Sequence, residues 1–291
     1  MISGFINLYK ESGITSQKAV SRLKGILRSQ GVDFGKIGHL GTLDPDGEGV
    51  LPVAIGRATR LFDYFLHKKK VYYSEFVFGS TTNTLDASGT VTKESATVPA
   101  KADILRAIPH FIGKLSQMPP AYSAKSVGGV RAYALARKGE TPNLTPKEVD
   151  IYSIVLKDEL EYGVYSFLIE CGGGTYIRAI ARDLAKECGT LGYMRYIKRV
   201  ENGIFSIKDS KKLEELEQGV LPFIIPLEEV LAIYPRLDVH GKDGERVLNG
   251  VPVKLDDMPQ EGIFTVFIND MLCGLAEGNA DSMLKIKTRL M

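Results

Sequence analysis

From Ser16 onward apolar residues recur at helical spacing, at Ala19, Val20, Leu23, Ile26 and Leu27. Thr15 or Ser16 stands where an N-cap is needed, so a helix is predicted there. Gly4–Tyr9 is a short apolar run closed by Ser12-Gly13, and Val71–Phe78 is rich in aromatic and β-branched residues and ends at Gly79. Both patterns predict strands, as do Ile151–Leu156 and Val164–Ile169. Thr175–Glu187 places Ile177, Ile180, Ala181 and Leu184 on one face, which predicts a helix starting directly after three glycines. Strands and helices mix without a regular βαβ repeat, so the fold class is α+β. Val220–Tyr234 carries Pro222, Pro226, Glu228 and Glu229 and reads as a loop with a short helix, setting a domain boundary near residues 225–235. Beyond Pro235, short apolar runs broken by Gly, Asn and Asp predict a small β-rich domain of about 55 residues.

Composition sharpens this in two ways. An apolar content of 44% with 25% charged residues over 291 positions is globular, and no apolar run approaches the roughly 20 residues that span a bilayer. With no signal peptide visible at the N-terminus, a soluble cytoplasmic protein is expected. Three cysteines (Cys171, Cys188, Cys273) without short spacing argue against a disulfide framework or a zinc site. The net charge of +2 hides an asymmetry: residues 1–212 carry a net of +9 and residues 213–291 a net of −7. Such asymmetry points to an anionic partner such as nucleic acid, or to solvated surfaces of different composition. There is no Walker loop, no GxGxxG after a strand, no HExxH and no GxSxG, and the histidines (His39, His67, His110, His240) are scattered. Nucleotide hydrolysis, zinc catalysis and serine-esterase chemistry therefore lack their signatures.

The informative stretch is residues 36–60, KIGHLGTLDPDGEGVLPVAIGRATR. Its five glycines permit tight turns and close backbone approach to a ligand. Pro45 holds Asp44 extended, with the carboxylate displayed. By themselves these residues also suit ordinary turn chemistry.

GHLGTLDPDGEGVLPVAIGRATR resembles the nucleophile motif of the bacterial tRNA pseudouridine synthase B family, with Asp44 on the position of the essential Asp. Three further segments agree in order and spacing: Lys70-Val71-Tyr72 followed by Gly79, PPAYSAKSVGGVRAYALARKGE (Pro119–Glu140), and GTYIR (Gly174–Arg178). The resemblance runs from about residue 2 to residue 205, and the C-terminal piece resembles the PUA-type domain that ends such enzymes. It implies a mixed, largely antiparallel central sheet with flanking helices in a catalytic domain over 1–230, and an RNA-binding domain over 235–291. Two positions depart from the pattern: Leu40 replaces Thr or Gly, and Asp46-Gly47-Glu48 replaces an apolar, Ala, small triplet. Asp46 and Glu48 are expected to raise the pKa of Asp44 as neighbouring carboxylates.

The resemblance implies isomerisation of the T-loop uridine at position 55 of tRNA to pseudouridine, a reaction without net redox change that needs no cofactor and no metal. Asp44 acts as nucleophile or as base, and Arg178 is its cationic partner, held in turn by Asp86 of Thr84-Leu85-Asp86. Tyr72 is the platform for the extruded base and serves in proton transfer at C5, while its neighbour Tyr73 points to the opposite sheet face. Tyr176 and Ile197 line the base pocket, and His39 enters the space that the flipped base leaves. Phosphate contacts are expected from Arg195, Lys198 and Arg199, from Lys68, Lys69 and Lys70, and from Lys285, Lys287 and Arg289 as one face of a C-terminal strand. The expected partner is the tRNA elbow and T-arm, bound by a monomer with no membrane contact. Alternatives are a non-catalytic tRNA-remodelling protein on the same fold, a guide-RNA-dependent relative, whose chains carry extra terminal segments, and an aspartate-nucleophile hydrolase on an unrelated fold.

Overall fold

The structure is a computed structural model that describes residues 1–66, 68–123, 126–127, 130–131, 143–255 and 261–291. Among the described residues the larger sheet has nine strands. They are β1 (Gly4–Lys10), β2 (Ile37–His39), β3 (Glu48–Ile55), β4 (Lys70–Phe78), β5 (Gly113–Gln117), β6 (Lys147–Glu161), β7 (Val164–Cys171), β8 (Gly192–Asn202) and β9 (Phe205–Ser206). The spatial order is β1-β3-β8-β4-β7-β6-β5, with β2 on β3 and β9 on β8. Every pairing is antiparallel except β3 with β8, where Glu48 and Gly49 lie beside Lys198 and Arg199. The sheet is thus mixed and largely antiparallel.

The predicted strands form with longer bounds, because pairing partners extend them past the apolar runs that announce them. Ile151–Leu156 grows into β6, whose C-terminal half is exposed, through the hairpin to β7. Helix α1 (Ser16–Ser29) is capped by Thr15, whose hydroxyl accepts the Lys18 N–H at 3.0 Å. It buries Ala19, Val20, Leu23, Ile26 and Leu27 against Ile6, Leu8, Leu51 and Val53 of β1 and β3. Helix α2 (Ile177–Glu187) starts two residues later than the periodicity predicts, with Tyr176 as its N-cap. Ile177, Ile180, Ala181 and Leu184 pack on Phe76, Phe167 and Ile169 of β4 and β7.

Among the described residues a second sheet has five strands: β10 (Arg236–Val239), β11 (Val253–Lys254), β12 (Gly262–Ile268), β13 (Met271–Gly278) and β14 (Met283–Arg289), in the order β10-β12-β13-β14-β11. Its own core joins Val239, Val247, Phe264, Val266, Cys273 and Leu284. The β pattern misses one element here, helix α3 (Gly241–Leu248). Only Gly244 and Val247 of α3 are buried, so its apolar face is too short to register as a helical period. Leu275 of this sheet and Leu290, just past β14, join a cluster with Phe5, Leu40, Phe65, Phe205, Val230 and Leu231. The two sheets therefore share packed apolar side chains.

Candidate active site

The loop between β2 and β3 carries Asp44, and buried polar side chains fasten its backbone from three directions. From β1, the Lys10 ammonium donates to the carbonyls of Pro45 at 2.9 Å and Gly47 at 2.5 Å. From α1, the Ser16 hydroxyl both donates to the Leu43 carbonyl and accepts its N–H, at 3.0 and 2.9 Å. From β8, Arg199 donates to Val50 O at 2.7 Å and Gly41 O at 3.0 Å, and Asn202 donates to Leu40 O at 2.8 Å. Loop carbonyls that would otherwise be buried without partners are thereby satisfied. Gly49 makes the approach to β8 possible: its φ is +104°, and a Cβ there would run into the Arg199 carbonyl.

Arg178, second residue of α2, holds the carboxylate bidentately. Its Nη2 donates to Asp44 Oδ1 and its Nε to Oδ2, both at 3.0 Å. The remaining Nη1 meets Asp86 Oδ2 at 3.2 Å and the Thr84 carbonyl at 3.2 Å. Asp86 is itself oriented by the hydroxyls of Thr84 and Ser88, each donating to Oδ1 at 2.6 Å. Arg178 is 7% exposed, whereas Asp44 keeps 38% of its side chain open. The guanidinium is thus a buried anchor, and the carboxylate faces the cleft.

Burial raises the Asp44 carboxyl above its ordinary range, with Asp86 adding to the rise, while Arg178 and Lys10 oppose it. The direction is the one expected from the sequence, but the cause is not. Asp46 is exposed to solvent, and Glu48 turns away to Tyr9, Tyr196 and Lys198. The carboxylate that bears on Asp44 is Asp86, brought from a distant segment.

Asp44 stands where two cavities meet. The outer cleft, about 760 Å³, is lined among others by His39, Thr84, Asp86, Tyr122, Tyr196 and Ile197. The inner cavity, about 210 Å³, is lined by Gly41, Lys70, Tyr72, Tyr176, Ile197 and Arg199 among others. Thr42, Leu43, Asp44, Arg178, Met194 and Ile197 border both. The fold therefore brings Asp44, Tyr72, Tyr176, Arg178 and Ile197 together from four separate segments. Tyr72 is buried, and burial keeps its phenol protonated well above neutral pH. Tyr73 does point to the opposite face, where its ring meets Tyr196 edge-on at 6.0 Å. His39 lines the outer cleft, and burial together with Arg199 lowers its pKa, which favours the neutral ring. Its Nδ1 is buried without a hydrogen-bond partner. Among the described residues no group of three or more His, Cys, Asp or Glu side chains is placed to hold a metal ion.

Several expected phosphate contacts are corrected. Arg199 is 1% exposed and spends its donors on loop carbonyls. Lys70 is 4% exposed and donates to Leu66 O and Lys68 O, and burial lowers its pKa to about 8. Both can be buried because neighbouring backbone carbonyls accept their donors, which offsets the loss of water. Arg195 pairs with Glu75 and Glu161, Lys198 with Glu48 at 3.6 Å, Lys69 with Glu170 at 3.4 Å, and Lys287 with Glu277 at 2.5 Å. Lys68, Lys285 and Arg289 have no carboxylate partner among the described residues; Lys285 and Arg289 lie exposed on β14 as predicted.

Sequence reasoning missed Lys10, Ser16, Gln117 and Asn202. Gln117, at the end of β5, clamps Tyr176, accepting its N–H at 2.8 Å and donating to its carbonyl at 3.1 Å. A lysine closing an apolar strand is the one visible hint, and it does not say where the ammonium goes. Of the segment Pro119–Glu140, Tyr122 and Ser123 line the outer cleft. Ser126–Val127 pairs with Val130–Arg131, and residues 124–125, 128–129 and 132–140, like His67, lie outside the described residues.

The same fold is found among solved structures. It superposes on a structure described as an H/ACA RNP bound to a substrate RNA containing 2′-deoxyuridine, with a TM-score of 0.73 at 20% identity, covering 99% of this chain and 85% of that one. A Cbf5-Nop10-Gar1 complex gives 0.72 at 23% identity over the same shares. At these identities the likeness establishes the fold. The TruB family pseudouridylate synthase profile (N-terminal domain) matches residues 27–177. The tRNA pseudouridine synthase B of Clostridium kluyveri is 38% identical over 87% of this chain and 86% of its own, and that of Clostridium tetani 35% identical over 98% and 99%. That of Streptococcus mutans is 36% identical over 95% and 96%. The chain belongs to the TruB family of pseudouridylate synthases.

Proposed function

We propose that this protein isomerises the T-loop uridine at position 55 of tRNA to pseudouridine, with Asp44 as the essential carboxylate. The observation that carries the reading is the Arg178–Asp44 pair at the junction of an outer cleft and a smaller inner cavity floored by Tyr72. A uridine in a folded T-arm must leave its stack to be reached. The outer cleft admits the loop, and the inner cavity receives the base between Tyr72, Tyr176 and Ile197. Stacking on an aromatic ring contributes about 1–3 kcal/mol. Asp44, kept ionised by Arg178, attacks the ribose as nucleophile or removes its C2′ proton. The N1–C1′ bond breaks, and the inner cavity retains uracil while it turns to present C5. C5 then bonds to C1′, which releases the Asp44 carboxylate or, on the other route, takes the C2′ proton back, and the proton lost from C5 is balanced by one gained at N1. The Tyr72 hydroxyl relays that proton, accepting at its oxygen as it gives up its own. Neutral His39 fills the vacated stack as a wedge rather than as an acid.

The β10–β14 sheet, spanning 235–291, is the RNA-binding unit beside a catalytic unit spanning 1–230. Lys285 and Arg289, with Lys68 and the partly paired Lys198, supply phosphate contacts. The protein works as a cytoplasmic monomer. Tritium release from tRNA labelled at uridine C5 tests the reading. The wild type should release label from the T-loop position and Asp44→Asn should release none. Tight tRNA binding without release by either protein overturns it in favour of non-catalytic remodelling, and a sedimentation mass of twice the chain overturns the monomer.

A further inference from the structure

Glu48 is the first residue of β3 and follows Gly47, the last residue of the catalytic loop. It lies where three strands meet. From β8 the Tyr196 hydroxyl donates to its Oε1, and Lys198 approaches at 3.6 Å. From β1 Tyr9 adds a side-chain hydrogen bond to the same carboxylate. The Lys198 ammonium also lies 5.8 Å from the Tyr9 ring centroid, and that of Lys212 at the same distance. The carboxylate is 21% exposed on its side chain, so these contacts are only partly screened by water.

What this cluster holds in place is the wall of the cleft. The β8–β4 register breaks between Met194 and Tyr196, a bulge that re-aims the side chains around it. Two hydrogen bonds pin the chain immediately after the bulge, both at Tyr196. The Ser74 hydroxyl donates to its carbonyl at 2.6 Å, and its own hydroxyl is received by Glu48. The next residue, Ile197, borders both cavities and packs onto the loop, its Cγ2 lying 3.1 Å from where a Cβ on Gly47 would stand. Hence Gly47 and Glu48 touch the wall twice, the Gly47 backbone at Ile197 and the Glu48 carboxylate at the Tyr196 hydroxyl.

We propose that Glu48 is a positioning residue: by receiving the Tyr9 and Tyr196 hydroxyls and Lys198, it fixes the Tyr196–Ile197 wall against the Asp44 loop and so sets the shape of the base cavity. It acts through Tyr196 and Ile197 and touches no substrate. Releasing the tether leaves tRNA binding intact, and frees Lys198 from its carboxylate, but misplaces the base relative to Asp44. Displacements of about 1 Å at such a distance cost up to about 100-fold in rate.

The test rests on the uridine-isomerase reading and separates from it, because the wild type is measured alongside. Single-turnover tritium release is followed with saturating enzyme in excess over unmodified, C5-labelled tRNA, where a misfolded fraction changes neither amplitude nor rate constant while folded enzyme stays saturating. Filter binding gives the tRNA Kd. Glu48→Ala and Tyr196→Phe should each lower the rate constant about tenfold, with Kd unchanged or tighter. The double variant should be no slower than the slower single, and Glu48→Gln, which still accepts both hydroxyls, should return to within about threefold of wild type. A Glu48→Ala variant that loses only thermal stability, at an unchanged rate constant, overturns the inference. So does weaker Kd at unchanged rate. If Glu48→Ala does not fold, Tyr196→Phe removes the same bond from the other side, and a wild-type rate there overturns it equally. An inactive wild type strikes the isomerase reading, and with it this one.

Discussion

In the proposed reaction Asp44 and Arg178 serve only as a pair. A carboxylate pushed up by burial and by Asp86 would be protonated too readily to attack, and the bidentate guanidinium is the group that opposes this. Arg178→Lys keeps a charge but cannot reach both oxygens in one plane. The expected loss in kcat is on the order of 10²-fold. Its sign in pH is also fixed: with less opposition the Asp44 pKa rises further, so the acid limb of the kcat profile moves to higher pH, which a pH series of single-turnover rates checks. The identity of these two residues was legible in the sequence through DP and GTYIR. Their mutual distance was not, since a helix and a loop 134 positions apart are joined only by the folded sheet. The carboxylate that perturbs Asp44 was misread for the same reason: proximity along the chain picked Asp46 and Glu48, while packing picked Asp86.

Between the residue and the whole lies the loop with its fastenings. Lys10→Met leaves the Pro45 and Gly47 carbonyls without their ammonium donor, which costs about 1–3 kcal/mol for a buried unsatisfied group. The cost should show in the urea midpoint as well as in activity. Burial lowers the Lys10 pKa from 10.5 to about 8. Between those values the unfolded chain binds a proton that the folded chain does not, so this group's contribution to stability increases with pH. The stability of wild type relative to Lys10→Met should therefore rise from about pH 8 to pH 10.5, and a flat difference would show that the ammonium is not desolvated. Gly49→Ala should destabilise by more than about 2 kcal/mol, because the strained φ and the Arg199 backbone leave nothing flexible to yield. Among these elements periodicity predicted β1 and α1 but not β2, β3 or β8. It could not predict the parallel meeting of β3 and β8, which depends on a glycine whose reason is a neighbouring backbone.

For the whole molecule, charge was the least legible property. The basic excess of residues 1–212 is real, yet Arg195, Lys198 and Lys69 are paired and Arg199 and Lys70 are internal. The free cations of the second sheet should then weigh more in affinity than their number suggests. Lys285→Ala with Arg289→Ala should flatten the plot of log affinity against log salt by about 1.8 for two duplex phosphates, with single-turnover rate unchanged. The α+β class and the small β-rich C-terminal unit were readable from hydrophobic pattern, whereas α3 was too short-faced to see. The shared cluster of Phe5, Leu40, Val230, Leu231, Leu275 and Leu290 has a consequence in time. Leu40 heads the catalytic loop, and its apolar floor is completed by a side chain contributed near residue 290. During synthesis, β1 and the loop must wait, with that floor open, until β14 has emerged and docked. The site is among the last parts of the protein to become rigid, and a nascent chain holds every catalytic residue well before it holds a working active site.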